Sequence, residues 1–552
     1  MSQLSALDAT FLYAETAQTP MNLGTVHVLQ LPDGYAGDFV TDVRALLAKR
    51  LHLAPILHRR LIQMPYDLLT PMWVEDDDID LDHHVRHVML KRPGDEVELR
   101  ALIGRLHSQQ LDRSRPLWEI TLIEGLEGGK WAALVKVHHA GVDGQSGALL
   151  NAALMDVVPQ PREVVPPRSR RRRGRRASEL GGAELLAIGV KNLGVQFVGL
   201  VRGLPKIVKT LSRQSQVMRA SMPSLPSLRG GKSKGGSEGV PRTPFNVSVT
   251  NARVWARAKL PLADVKRVAK LVGCSVNDVL FAVTGAGLRK YLLDGNELPE
   301  RSLVAMMPVS TREAGDTEMS NKVSMAPVRL HTEMGDPLAQ LLAIAADTRS
   351  IKTTLSQDRG GIPTDLPVIG MPWLMSGMID LVGRLNLAES LPLMGNLVIS
   401  NFVAATTPMY LCGARVESFS PVLILMHGQA LGLAMQTYHD TIEIGATGCR
   451  RAMPDVGEIV DNMVAAFADL ERAAAAHVPV APVENAKPPA EPRPARAAKR
   501  AVAKRSAPVV KKAASGRRVG TTRKARKPAG PAAPDTVRPA GATADNPKPG
   551  GA

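Results

Sequence analysis

Apolar residues recur at regular spacing over residues 1 to about 160 and again from about 245 to 475. A chain packs a core only where apolar side chains return with strand or helix period, so this pattern predicts two folded halves. The connector between them opens on PQPREVVPPRSRRRRGRR and closes on SLPSLRGGKSKGGSEGVPRTP, which is linker composition at both ends. Its middle, residues 185–204, reads as an amphipathic helix, either a crossover packed on the body or an interfacial membrane helix. After about residue 479 the chain repeats Ala, Pro, Lys and Arg without an aromatic residue, too little apolar area to offset ordering entropy, which predicts disorder. The expected partition is therefore 1–160, a basic and partly helical linker over 161–245, 246–478, and a tail over 479–552.

The formal net charge of +17 belongs to the appendages. Residues 479–552 hold seventeen Lys and Arg against four Asp and Glu, and residues 168–176 add seven arginines, leaving the remainder slightly acidic. That distribution argues against a body that grips a phosphate backbone over its surface. The tail is material for anionic lipid, for nucleic acid through counterion release, or for solubility alone. With 44% hydrophobic residues the body has enough for a sizeable core. Cys274, Cys412 and Cys449 lack CxxC spacing, so no disulfide framework or Cys-based zinc site is expected. The opening residues lack a secretory pattern and no apolar run reaches about eighteen residues, so a cytoplasmic protein without a membrane span is expected.

Both halves read as mixed α/β. Strands are expected at 131–139, 252–260 and 439–448, and helices at 101–111, 146–158, 275–293 and 336–351. The densest chemistry lies where the first of these strands meets the second of these helices, in His138-His139-Ala140-Gly141-Val142-Asp143-Gly144, an HHxxxDG sequence. Adjacent strand residues face opposite sides, so the two histidines are not convergent metal ligands. They read as one catalytic imidazole beside one structural partner, or as two satisfied histidines at a strand end. Gly141 and Gly144 ease the turn, and Asp143 either caps the next helix or holds an arginine. A neutral imidazole can take a hydroxyl proton as an alcohol attacks a carbonyl. His83, His84 and His87 lack a paired ligand set, so no metal is expected. GQSG at 144–147 is not a GxSxG nucleophile elbow, so direct transfer in a ternary complex is the simpler mechanism.

The flanks carry a resemblance. LSALDATFLYAETAQTPMNLG (4–24), DLDHHVRHVMLKRPGD (80–95), RPLWEITLIEGLEGGKWAALVKVHHAGVDG (115–144), CSVNDVLFAVTGAGLRKYL (274–292), PVSTR (308–312), NKVSMAPVRL (321–330) and SNFVAATTPMYLCGARV (400–416) resemble the bacterial wax ester synthase/diacylglycerol acyltransferases. These sit in the superfamily of chloramphenicol acetyltransferase and peptide-synthetase condensation domains. The resemblance implies an α/β fold of mixed sheets, two chloramphenicol-acetyltransferase-like domains and a channel between them.

It also implies a set of roles. His139 is the general base, beside His138, with Asp143 and Gly144 shaping the turn. Pro116, Leu117, Trp118 and Glu119 form the PLWE element, an acyl-binding wall or a structural one. Asn277 and Asp278 are the ND pair, and Arg312 is the partner of Asp143. Ser400 and Asn401 begin a turn where the family pattern continues Pro-Gly and this chain has Phe402-Val403. The Met-rich stretch 366–385 is compatible material for the acyl channel.

The implied activity moves a long-chain acyl group from acyl-CoA to diacylglycerol, forming triacylglycerol, with wax esters from long-chain alcohols as further products. Acyl-CoA is a co-substrate and no cofactor is expected. Insoluble substrates imply peripheral association with membrane or lipid droplets. Two alternatives stay open: the same fold acting on another hydroxyl or amine, and a non-catalytic protein binding lipid or nucleic acid through its tail.

Overall fold

The computed structural model describes residues 2–62, 71–142, 144–165, 239–310, 323–357 and 372–477. The 185–204 helix and the tail lie outside those residues, as do Asp143 and Arg312. In the first block the strands are β1 (Ser2–Gln3), β2 (Asn22–Gln30), β3 (Arg59–Ile62), β4 (Met72–Glu75), β5 (Val85–Met89), β6 (Trp118–Leu126) and β7 (Lys130–His138). In the second they are β8 (Arg253–Pro261), β9 (Val304–Ser310), β10 (Val323–Arg329), β11 (Leu397–Ala405), β12 (Tyr410–Leu411), β13 (Ala414–Val422), β14 (Leu431–Tyr438) and β15 (Thr441–Cys449). The helices of the first block are α1 (Ala6–Ala14), α2 (Phe39–Arg50), α3 (Pro55–His58), α4 (Leu81–His84), α5 (Glu96–His107) and α6 (Gly144–Leu154). Those of the second are α7 (Leu262–Val272), α8 (Val276–Asp294), α9 (Pro337–Gln357), α10 (Pro372–Arg384) and α11 (Val456–Ala476).

Two six-stranded sheets and one of three strands result. The first large sheet runs β12-β13-β2-β7-β6-β5 and the second β10-β9-β11-β14-β15-β8. Both are mixed: β5 is parallel to β6, and β11 is parallel to β9 and β14, while the remaining neighbours are antiparallel. Interior strands are buried on both faces, as in a sheet covered on both sides. Thus β7 keeps Ala132 to His138 buried without interruption. Each large sheet carries its own core, with Leu29, Leu47, Leu57 and Leu122 in the first and Leu260, Ile344, Leu433 and Ile444 in the second.

The expected boundary at 246 is crossed by the chain. Strand β13, from the second block, pairs along β2 from Arg415↔Gln30 to Val422↔Gly24 and completes the first sheet. Residues 1–481 accordingly form one compact unit, within which the two halves share this strand. The seam is tight. Trp255 Nε1 of β8 donates to the Pro421 carbonyl of β13 at 3.0 Å, and Arg257 Nη2 meets Glu96 Oε2 of α5 at 2.8 Å. Gly445 of β15 sits where a Cβ would collide with that same Pro421 carbonyl, so the two sheets approach as they do only because position 445 has no side chain. Among the described residues no single helix is long and apolar enough to cross a membrane.

Candidate active site

Strand β7 lies between β2 and β6, which makes its last residue an interior one. The strand ends at His138, one residue earlier than the pattern predicts, and His139–Gly141 turn as a single 3-10 step. His138 is fully buried. Its backbone N–H donates to Leu117 O at 3.1 Å, and its Nδ1 accepts from the Ala140 N–H at 3.0 Å. With Nδ1 accepting, the ring proton sits on Nε2, which points at Glu15 Oε2, 3.5 Å away.

Glu15 is the residue the sequence did not single out. Its Oε1 accepts from the Met21 N–H at 3.0 Å, and its Oε2 accepts from Arg113 Nε at 2.9 Å. Burial pushes this carboxyl up, but hydrogen bonding from His138, the charge of the Arg113 guanidinium and the Met21 N–H outweigh it and hold it down at about 2. Met21 in turn accepts the His139 N–H on its carbonyl at 2.9 Å, and Arg113 Nη2 donates to Leu12 O at 2.7 Å. One buried carboxylate thus ties α1, the 15–21 segment and both histidines together.

His139 leaves the strand and lies flat on Phe11, with ring centroids 3.8 Å apart and planes inclined by 10°. Nδ1 is buried without a hydrogen-bond partner, whereas the residue as a whole is half-buried. Burial drives its pKa down to about 4, against a favourable interaction with its own backbone. Held neutral, the ring keeps one nitrogen lone pair available to take a proton. Among the described residues nothing hydrogen-bonds Nε2. The two histidines therefore differ in surroundings: His138 Nε2 faces the Glu15 carboxylate inside the fold, and His139 Nε2 has no hydrogen-bond partner among the described residues. Gly141 does not adopt a positive φ; it is small because a Cβ would strike Ile56 Cδ1, so close packing against α3 rather than turn strain explains it.

The PLWE element supports this turn from the neighbouring strand. Pro116, Leu117 and Trp118 are buried, with Leu117 and Trp118 in the first core. Trp118 Nε1 donates to Leu57 O at 3.1 Å and its ring stacks on His84 at 4.3 Å. His84 spends Nδ1 on the Trp118 carbonyl at 2.8 Å. Glu119 lies 3.4 Å from Arg86 and 3.7 Å from Lys136. These residues pack in the first core and flank β7 along its length. Among the described residues no three His, Cys, Asp or Glu side chains converge as metal ligands would.

The second half brings Asn277 and Asn401 together: Asn401 Nδ2 on β11 donates to Asn277 Oδ1 at 2.6 Å. Asp278 is separate from that pair. It closes a capping box with Ser275 at the start of α8 and accepts from Thr348 Oγ1 at 2.7 Å, so its role is to hold the helix start. Ser400 is half-buried on β11, which continues without interruption through Phe402 and Val403. A Pro-Gly at those positions would remove a ladder donor. No hydrogen bond joins this group to either histidine of the pair among the described residues. The described part of the Met-rich stretch includes helix α10, whose Met378 and Leu381 are exposed.

Comparison with known proteins reads the same residues as one family. The model for the wax ester synthase/diacylglycerol acyltransferase catalytic domain matches residues 4–280, and the model for the C-terminal domain of that family matches 319–471. The chain belongs to the wax ester synthase/diacylglycerol acyltransferase family. It is 34% identical over 478 residues to a putative diacylglycerol O-acyltransferase of Mycobacterium tuberculosis (strain ATCC 25618 / H37Rv), covering 85% of this chain and 99% of that one. It is 30% identical over 473 residues to O-acyltransferase WSD of Acinetobacter baylyi, covering 84% and 95%. The solved wax ester synthase/diacylglycerol acyltransferase from Marinobacter aquaeolei VT8 superposes with a TM-score of 0.60 at 28% identity, covering 86% of this chain and all of that one. A condensation domain of the calcium-dependent antibiotic synthetase shares the fold, with a TM-score of 0.52 at 14% identity. Both family models stop short of the basic tail. The HHxxxDG turn of this family member thus sits within a fold built for acyl transfer.

Proposed function

We propose that this chain transfers a long-chain acyl group from acyl-CoA to the hydroxyl of diacylglycerol, giving triacylglycerol, and to long-chain alcohols, giving wax esters. The observation that carries the reading is the His139 ring: neutral, pinned flat on Phe11, with Nδ1 sealed and Nε2 unengaged. Nε2 takes the hydroxyl proton as the alcohol oxygen attacks the thioester carbonyl. The tetrahedral intermediate then expels the CoA thiolate, which recovers the proton from the imidazolium and leaves as free CoA. The enzyme forms no covalent bond with the acyl group, and acyl-CoA enters as a co-substrate with no resident cofactor.

Asn277 and Ser400 are the donors we assign to the thioester oxyanion. Asp143, paired with Arg312, and Gly144 shape the turn that carries His139. Because diacylglycerol is insoluble in water, we place the enzyme in the cytoplasm at a membrane or lipid-droplet surface, with the basic tail against anionic lipid or nucleic acid.

The test supplies purified protein with labelled acyl-CoA and diacylglycerol and measures free CoA and labelled triacylglycerol. Wild type should release both in equal amounts, and His139→Ala should lower turnover by about 10²–10⁴-fold. Unchanged turnover in His139→Ala removes the mechanism. Product from another alcohol or amine alone, in a screen at fixed acyl-CoA, replaces the acceptor.

A further inference from the structure

Exposed apolar side chains elsewhere in the described residues stand singly or in pairs, as on any soluble surface. One stretch departs from this. Met378, Leu381, Leu385, Leu387, Leu391 and Met394, on α10 and the segment that follows it, are each 37–60% exposed. A run of this kind on one stretch of chain marks an interaction site.

The charge on the stretch constrains its partner. Between positions 376 and 394 the charged residues are Asp380, Arg384 and Glu389. Asp380 Oδ2 and Arg384 Nε pair at 2.7 Å, which leaves Glu389 as the unpaired charge of the three. Such a surface offers nothing to a polyanion and gains its binding from apolar area alone. A lipid surface of low charge is the partner it fits.

Its position relative to the catalytic turn supports the same partner. The opposite side of α10 is docked on the N-terminal segment: Ser376 Oγ donates to the Tyr13 carbonyl at 2.7 Å. A Cβ on Gly383 would lie 2.5 Å from His427 Nε2 and collide with Gln18 Oε1, so the helix backbone rests directly on those two side chains. Tyr13 and Phe11 belong to α1, and Phe11 is the ring on which His139 lies. The apolar surface is therefore one helix removed from the imidazole, on the outside of the element that positions it.

We propose that α10 and the segment through Met394 form the face by which the protein rests on the lipid surface that supplies its acceptor. This rests on the functional reading only in taking that acceptor to be a lipid. Diacylglycerol then passes from the surface toward His139 around a single helix, without crossing bulk water.

The test is flotation of the full-length protein with phosphatidylcholine vesicles carrying diacylglycerol. It is run at about 1 M salt, where charge attraction reaches only about 3 Å and the basic tail is silenced. Wild type should float. The double variant Leu381→Glu/Met394→Glu should lose bound protein by about tenfold or more, while Leu381→Met/Met394→Leu should bind as wild type. In parallel, CoA release with diacylglycerol in vesicles should fall with binding in the Glu variant, and release with a water-soluble short-chain alcohol should not change. Wild type that fails to float, or a Glu variant that floats like wild type, overturns the proposal. So does a Glu variant that turns a dimer into a monomer without altering flotation, since the face would then bind a second copy. Flotation is read without turnover, so protein that floats but releases no CoA with any acceptor defeats the functional reading while supporting this surface.

Discussion

At the scale of single residues, the two histidines are distinguished by what each nitrogen touches. His139 Nε2 has no hydrogen-bond partner among the described residues, and burial keeps the ring neutral to about pH 4. The base is the unprotonated form, so kcat/KM should be retained as pH falls through 6.5 and lost only on approaching 4. A pH–rate profile with an acid limb at the ordinary imidazole value would show that the free enzyme does not hold the ring as described. Glu15 acts one step further out, as a positioning residue. Replacing it with Gln keeps the Met21 contact but leaves the Arg113 guanidinium without its anion. The expected cost is about 1–3 kcal/mol of stability. Turnover should fall by about 10²-fold with KM for acyl-CoA little changed, because a displaced imidazole affects the transition state more than binding. Equal kcat in Glu15→Gln and wild type, measured below the Tm of both, would reduce Glu15 to a structural ion pair.

At the scale of elements, much was legible because local pattern decides it. The buried run before His138 and the apolar periodicity of α8 and α9 all produce the elements they predict. The ending of β7 at His138 was misplaced by one residue, since a strand terminus depends on when its neighbours stop pairing. What local pattern does not carry is partnership at long range. Glu15 reaches His138 across more than a hundred residues, and nothing in ALDATFLYAET marks that carboxylate as buried. The pairing of β13 with β2 was equally invisible, because an alternating strand does not say which sheet it will join. That exchange yields a prediction at this scale. Gly445→Ala places a methyl against the Pro421 carbonyl, which Trp255 also fixes by its indole N–H. The two sheets must move apart, which costs about 1–3 kcal/mol. Calorimetry should show a lower Tm, and turnover should fall more than an isolated glycine substitution in a sheet would cause. An unchanged Tm would mean the seam is loose.

At the scale of the whole molecule, the protein divides into a compact unit over 1–481 and a basic remainder over 482–552. Both family models end before the remainder begins. A chain truncated after residue 481 should therefore keep its Tm and its CoA release with a soluble acceptor, and loss of either would make the tail part of the enzyme. The folded unit also has a built-in acid sensitivity. His27 and His107 are fully buried, and burial lowers each to about 3. His27 Nε2 is engaged with Thr25 Oγ1 at 2.8 Å, and His107 Nε2 donates to Asn22 O at 2.7 Å, so both serve as neutral rings. Their folded values lie below the unfolded one near 6.5, so the unfolded chain binds more protons over the whole interval between. Stability from this pair is complete above pH 6.5 and drains away as pH falls toward 3, by about 4 kcal/mol at pH 5. Glu15, held at about 2, adds a further loss below pH 4.5. His331 runs in the opposite sense, because hydrogen bonding to Asp347 raises it and its contribution is lost as pH rises. The balance favours the depressed group, which also includes His84, His139 and His427. Tm should drop steeply between pH 7 and 5, with net proton uptake on unfolding at pH 5 that falls by about one in His27→Gln. A flat Tm across that window would mean that these rings are hydrated in solution and that the first sheet is less tightly closed than its packing shows.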